Sequence, residues 1–192
     1  SMNPSRSLQK LRPRDAVQRM HEYHPPLAGR DGLRLDFNEN TLAPSPRVQT
    51  VLQNIDADGL TKYPEREHVE RIVAQHFGLP QESVLLTNGV DEAIHVLFEA
   101  FLDAGDEVLL PVPTYTMYEV YASSTDARVV TVQSAEDLQF PFERLGAAIS
   151  LHTKVIAIAN PNSPLGSARA RTQILEIARR APHAVVLVDE AY

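Results

Sequence analysis

Four short stretches hold residue types that can do chemistry, and each sits directly behind an apolar run. The first is VVLVDEAY, where Asp189 follows four aliphatic residues and Tyr192 lies three positions on. A carboxylate placed directly behind a buried strand is costly unless something pairs with it. Asp189 is therefore either a helix N-cap or the partner of a protonated ring nitrogen on a bound cofactor. The second is SVLLTNGVDEAI, a strand-like run, a glycine and the start of an amphipathic helix. Free N–H groups at such a helix start favour a phosphate, and Gly89 allows close approach of the backbone. The plainer reading is a strand-to-helix turn capped by Asn88.

The third stretch is DEVLLPVPTYTMYEVY. Tyr115 stands just past the apolar run, where its ring can lie on a planar ligand; otherwise it is structural. Tyr118 and Tyr121 follow at helical spacing and read as packing residues. The fourth is KVIAIANPNSPLG. Two X-Pro bonds within five residues fix its loop, and one of them is a candidate cis bond. Asn162 and Ser163 offer hydrogen bonds there, although a rigid connecting loop explains the same residues.

Other chemistries have less to stand on. The glycine pattern matches neither G-x-G-x-x-G nor a P-loop, and there is no G-x-S-x-G elbow. His21 and His24 lack the spacing of a zinc helix, so no metal site is expected. The chain has no cysteine, which removes disulfides and thiolate chemistry.

These stretches need elements to hold them. Candidate strands are 33–37, 83–87, 106–112, 128–132, 154–159 and 184–188. Several are unbroken apolar runs, as in strands covered on both faces. Between them, Val69, Ile72, Val73, His76 and Phe77 mark a helix over 67–77 that Gly78 closes. Val90, Ala93, Ile94, Leu97, Ala100 and Phe101 mark a second over 90–102, and a third falls near 172–180. Alternating strands and helices predict an α/β fold: a three-layer, doubly wound, mostly parallel sheet. In such sheets ligands gather at the carboxyl ends of the strands, where all four stretches lie.

Composition narrows the partners. With 43% hydrophobic residues, 22% charged and a formal net charge of -7, the chain reads as globular and acidic, without the basic stripe that nucleic acid requires. No apolar run approaches the roughly 20 residues of a membrane span. SMNPSRSLQKLRPRDA lacks the apolar core of a secretory signal, so the cytoplasm is the expected compartment.

In this order the motifs resemble the fold-type I pyridoxal phosphate (PLP) aminotransferases, and within them the histidinol-phosphate aminotransferase branch. LRLDFNENTLAPSP, TKYPE, TNGVDEAI, PVPTYTMY, NPNSPLG and VDEAY carry the likeness across residues 22–192. The resemblance implies that Gly89, Val90 and Asp91 hold the PLP phosphate and that Tyr115 stacks on the pyridine ring. It implies that Asp189 pairs with the ring N–H and that Tyr192 donates to the 3′-oxygen. Tyr63 would reach the phosphate of a neighbouring subunit, which implies a homodimer, while Tyr23 and Asn38 would line the substrate side. Residues 1–40 would form an arm belonging to a small domain, and 41–192 the first part of the PLP-binding large domain. The chain departs from the pattern at Ser163, where the family has the asparagine that touches the 3′-oxygen; Asn162 is the alternative donor. Thr41 and Ala43 replace a proline and a glycine.

The implied reaction is amino-group transfer between an amino acid or amino-alcohol phosphate, such as histidinol phosphate, and 2-oxoglutarate. A related PLP decarboxylase and a non-catalytic PLP-fold module are the competing readings. Transamination needs a lysine that forms a Schiff base with PLP. Lys10, Lys62 and Lys154 are all badly placed for it, and the family's lysine follows the D-E-x-Y motif. The chain is therefore expected to be an N-terminal fragment, inactive by itself.

Overall fold

The computed structural model describes residues 11–22, 24–25, 32, 37–136 and 138–192. It divides into two compact units, one made of residues 1–22 with 87–192 and the other of residues 23–86.

The first unit opens with α1 (Asp15–Arg19). Ala16 is buried, and Arg14 donates to the Ser124 carbonyl at 2.9 Å.

The second unit is helical in its described residues. Its first helix, α2 (Pro46–Gln53), begins with Pro46 in its first turn and the Ser45 hydroxyl accepting from the Arg47 N–H, a start signal written in the sequence. Next comes α3 (Ala57–Thr61), capped by Asp56, whose carboxylate accepts from the Gly59 N–H at 2.8 Å. The longest is α4 (Glu67–Phe77), ended by Gly78 in the left-handed conformation at φ 65°. Val69, Ile72 and Phe77, expected as an inward stripe, are exposed, and only Ala74 of this helix is buried.

Residues 83–87 do not form the expected strand. Gln81–Ser83 is a short 3₁₀ turn followed by irregular chain. The reason is visible at Leu86. Its N–H donates to the Glu70 carboxylate at 3.2 Å and its carbonyl accepts from the Arg66 guanidinium at 3.2 Å. Side chains of α4 and its N-cap residue satisfy groups that a sheet ladder would otherwise use. The expected strand at 33–37 lies outside the described residues apart from Phe37.

From Thr87 the first unit resumes with α5 (Gly89–Phe101), β1 (Glu107–Val112), α6 (Met117–Ser124) and β2 (Arg128–Gln133). There follow α7 (Phe142–Ala148), β3 (Thr153–Ala159), α8 (Arg171–Arg180) and β4 (Val185–Asp189). The four strands form a parallel sheet in the order β2-β1-β3-β4. Alternate side chains point to opposite faces. Val108, Leu110, Val155 and Ala157 pack with Ile94 and Phe98 of α5 and Tyr118 of α6. Leu109, Ile156 and Ile158 pack with Leu145 of α7 and Ile177 of α8. Both faces are covered, giving three layers, as the unbroken apolar runs predict.

The apolar stripe of α5 agrees with expectation at Val90, Ile94 and Leu97 and differs in its last turns. Ile94, Phe98 and Leu102 are buried while Ala100 and Phe101 are exposed. The helix meets the sheet along its i, i+4 row of Val90, Ile94, Phe98 and Leu102, and Phe101 is its last residue.

At the amino edge of the sheet, Glu107 is only 3% exposed. It pairs with Arg128 directly across the β1–β2 register and accepts from the Ser150 hydroxyl at 2.7 Å. The Ser150 hydrogen bond and the Arg128 charge outweigh burial, holding this carboxyl below its ordinary value of 4.5. A depressed folded value means that Glu107 stabilises the fold above pH 4.5 and that this contribution disappears as pH falls further. Glu107→Gln is expected to lower stability by about 1–3 kcal/mol at pH 7. The gap to the native protein should narrow in thermal melts at pH 3, whereas a constant gap across pH would contradict the assignment.

Candidate active site

The carboxyl ends of β1, β3 and β4 and the start of α5 bring most of the singled-out residues of the first unit into one linked set. Asp189 is the last residue of β4, in register with Ala159 of β3, and its carbonyl accepts from the Asn160 N–H at 2.8 Å. The residue is buried, 7% exposed. One carboxylate oxygen, Oδ2, accepts from the Tyr118 hydroxyl at 2.6 Å, and Oδ1 accepts from the Ala191 N–H at 3.1 Å. The Ala191 bond is also one that a capping aspartate makes; the Tyr118 bond is not required of a cap. No cationic side chain among the described residues pairs with this buried carboxylate.

Tyr118 is fully buried on α6. Burial first, and then the hydrogen bond to Asp189, push its phenol well above the ordinary tyrosine value. It is a fixed donor at neutral pH. Its ring stands edge-on to Tyr115, with centroids 5.7 Å apart and planes at 88°. Tyr115 in turn donates to Asp91 Oδ1 at 2.9 Å. A continuous chain therefore runs from the first turn of α5 through Asp91, Tyr115 and Tyr118 to Asp189. Tyr118 was read from the sequence as packing alone. The available signal was chemical: a tyrosine inside a core needs an acceptor for its hydroxyl.

The start of α5 has the features of an anion site. Gly89 holds φ 78°, and a Cβ built on it meets nothing within 4 Å. The Asn88 side chain does not cap the helix. Instead the Glu92 carboxylate accepts from the Asn88 N–H, and the Thr87 hydroxyl donates to the Gly89 carbonyl at 2.9 Å. The N–H groups of Gly89, Val90 and Asp91 have no partners within the helix, as for every helix first turn.

The NPNSPLG loop is tied to the β1 end. Asn162 Nδ2 donates to the Pro113 carbonyl at 3.2 Å, and its Oδ1 accepts from the Leu165 N–H at 3.0 Å. Val112–Pro113, Asn160–Pro161 and Ser163–Pro164 are cis. Asn160 is engaged on both sides by the Arg169 backbone. Ser163 is half-buried. The Thr114 hydroxyl is buried without a hydrogen-bond partner, a polar atom left over beside Tyr115.

Tyr192 is exposed beyond Asp189. Tyr63, fully exposed, and Asn38, at φ 51°, belong to the second unit. Tyr23 and Lys10 lie outside the described residues. Lys62 pairs with Asp58 on the second unit, and Lys154 is the second residue of β3, at the amino end of that strand.

The sequence model of one protein family, described as Aminotransferase class I and II, matches residues 30–192. The chain belongs to that aminotransferase family. A histidinol-phosphate aminotransferase of Lactiplantibacillus plantarum is 33% identical over 163 residues, covering 83% of this chain and 46% of that protein. The histidinol-phosphate aminotransferase of Methanococcoides burtonii is 34% identical over 164 residues, covering 83% and 45%. The chain spans about half the length of the curated relatives it matches. Among solved structures, a putative histidinol-phosphate aminotransferase from Erwinia carotovora atroseptica superimposes with a TM-score of 0.75 at 28% identity, over 82% of this chain and 46% of that one. The Sinorhizobium meliloti histidinol-phosphate aminotransferase, solved in complex with pyridoxal-5′-phosphate, gives 0.84 at 24% identity over 98% and 53%. At that identity the likeness establishes the aminotransferase fold. No helix of the described residues is long and apolar enough to cross a membrane.

Proposed function

We propose that these residues form the cofactor-holding part of a PLP-dependent aminotransferase that moves an amino group from histidinol phosphate to 2-oxoglutarate. The observation that carries this reading is Asp189: a buried carboxylate, oriented by two donors and without a cation among the described residues. A protonated pyridine nitrogen supplies the missing charge and an N–H donor in one group. The left-handed Gly89 at the start of α5 and the unpartnered Thr114 hydroxyl beside Tyr115 suit a phosphorylated ring in the same place.

In this reading the first-turn N–H groups of Gly89, Val90 and Asp91 bind the phosphate. The Asp91 carboxylate is engaged by Tyr115, which lessens its repulsion of that anion. Tyr115 covers the ring face. Asp189 holds a proton on the ring nitrogen, with Tyr118 keeping the carboxylate in place. Tyr192, together with Asn162 or Ser163, donates to the 3′-oxygen; Asn162 already spends part of its amide on Pro113. Tyr23 and Asn38 serve the substrate side, and Tyr63 serves the phosphate held by a second subunit. When bound, PLP supplies an electron sink for the bonding electrons at the substrate Cα. The lysine that anchors PLP is none of the three in this chain. The reading also places the arm in residues 1–40 and the start of the large domain at 41, and locates the enzyme in the cytoplasm. Exposed Val48, Val51, Leu52 and Ile72 on the second unit support a homodimer.

The test is to give the whole protein PLP, histidinol phosphate and 2-oxoglutarate and to follow glutamate. The reading predicts glutamate formed one for one with consumption of the donor. Retention of PLP without glutamate from histidinol phosphate would remove that donor and leave the cofactor assignment standing.

A further inference from the structure

We infer that Tyr118 is a positioning residue whose hydroxyl fixes the Asp189 carboxylate against the cofactor ring nitrogen while its ring edge supports Tyr115. This rests on the reading that the site takes PLP.

Packing alone does not account for a tyrosine at this position. Tyr118 is completely buried among Ile94, Phe98, Val108 and Leu110, surroundings that a phenylalanine would suit without burying a hydroxyl. A buried hydroxyl is tolerated only with a partner, and this one is 2.6 Å from Asp189 Oδ2. A hydrogen bond to an ionised acceptor is shorter and stronger than a neutral one. The carboxylate is thus gripped from two sides: by α6 through Tyr118, and by the backbone after β4 through the Ala191 N–H. Two donors on different oxygens fix the plane of the group. Each carboxylate oxygen can accept about two hydrogen bonds, so both grips leave room for a donor from a ligand.

The same side chain reaches the ring that would cover the cofactor face. Its edge meets Tyr115 at 5.7 Å and 88°, and Tyr115 is tethered at its far end to Asp91 in the first turn of α5. A single residue therefore sets both the group facing the ring nitrogen and the group facing the ring plane. Removing only the hydroxyl separates the two jobs, because Tyr118→Phe keeps the edge contact and loses the grip on Asp189.

The experiment compares binding of PLP with binding of its analogue in which C–H replaces the ring nitrogen, using the whole protein. Wild type, Tyr118→Phe, Asp189→Asn and the double variant are titrated by equilibrium dialysis, with apo-protein melting as a check on folding. The preference of wild type for PLP over the analogue should fall about 10-fold in Tyr118→Phe, the size of one hydrogen bond to a charged group. Affinity for the analogue should stay within about 2-fold, and Tyr118→Phe should add nothing in the Asp189→Asn background. An unchanged preference, or an equal loss for both ligands, overturns the inference and leaves Tyr118 a packing residue. Wild type that binds neither ligand overturns the PLP reading and this inference together. If Tyr118→Phe does not fold, the Tyr118 ¹³Cζ resonance of the wild-type protein decides. It should shift when PLP is added and not when the analogue is added, and the absence of a difference overturns the proposal.

Discussion

Replacing Asp189 with alanine is expected to lower turnover of the whole protein by about 10²–10³-fold, the usual loss when one preorganised electrostatic group is taken from an active site. The fold should survive. The substitution removes a buried carboxylate and leaves the Tyr118 hydroxyl without its acceptor, at a cost of about 1–3 kcal/mol. For a domain of this size that is a fall of about 2–4 °C in melting temperature per kcal/mol. The asymmetry follows from what surrounds the group. The apolar core beneath it, from Val155 to Ile158 and across to Ile94 and Phe98, does not depend on the carboxylate. Its charge has no cation to balance among the described residues. Steady-state rates alongside thermal melts check the claim. Activity within a few-fold of wild type would reduce Asp189 to a cap for the chain that follows it.

The opposite asymmetry is expected one layer below. Phe98 is completely buried where α5 meets β1 and β3, and Phe98→Ala should cost about 3–5 kcal/mol. Against a total stability of about 5–15 kcal/mol, that is a large share of the margin that keeps the protein folded. Phe101, three residues on in the same helix, is 55% exposed, and Phe101→Ala should cost well under 1 kcal/mol. Urea unfolding of the two variants measures the contrast. A similar cost for both would mean that α5 presents a different face to the sheet.

That pair of residues also shows where the sequence can be read and where it cannot. The α5 stripe is legible at Val90, Ile94 and Leu97, which pack on the sheet, but the same pattern also takes Ala100 and Phe101 inward, and these are exposed. Several helical columns of this apolar helix fit the same pattern, and only contact with the sheet selects Phe98 and Leu102 over Ala100 and Phe101. By contrast, β1 and β3 were legible almost to the residue, because strands covered on both faces have no polar alternation to confuse. SVLLT has the composition of such a strand, yet Glu70 and Arg66 occupy the backbone groups of Leu86, a tertiary event with no local signature. Short helices such as α7 gave too few turns for a period to emerge. The site was legible in its strand-end residues, since Asp189, Tyr115, Gly89 and Asn162 each stand beside a glycine, a proline or the end of an apolar run. What joins them was hidden. Neither the Tyr118–Asp189 bond, across 71 positions, nor the Tyr115–Asp91 bond, across 24, follows from spacing.

The central claim is that the Asp189 carboxylate keeps a proton on the ring nitrogen of bound PLP. The most direct measurement is the ¹⁵N resonance of ring-labelled PLP on the whole protein, in wild type and in Asp189→Asn. The wild-type resonance is predicted at the position of a protonated pyridine and should move to that of a neutral pyridine in the variant. A neutral ring nitrogen in the wild type, or the same resonance in both proteins, would contradict it.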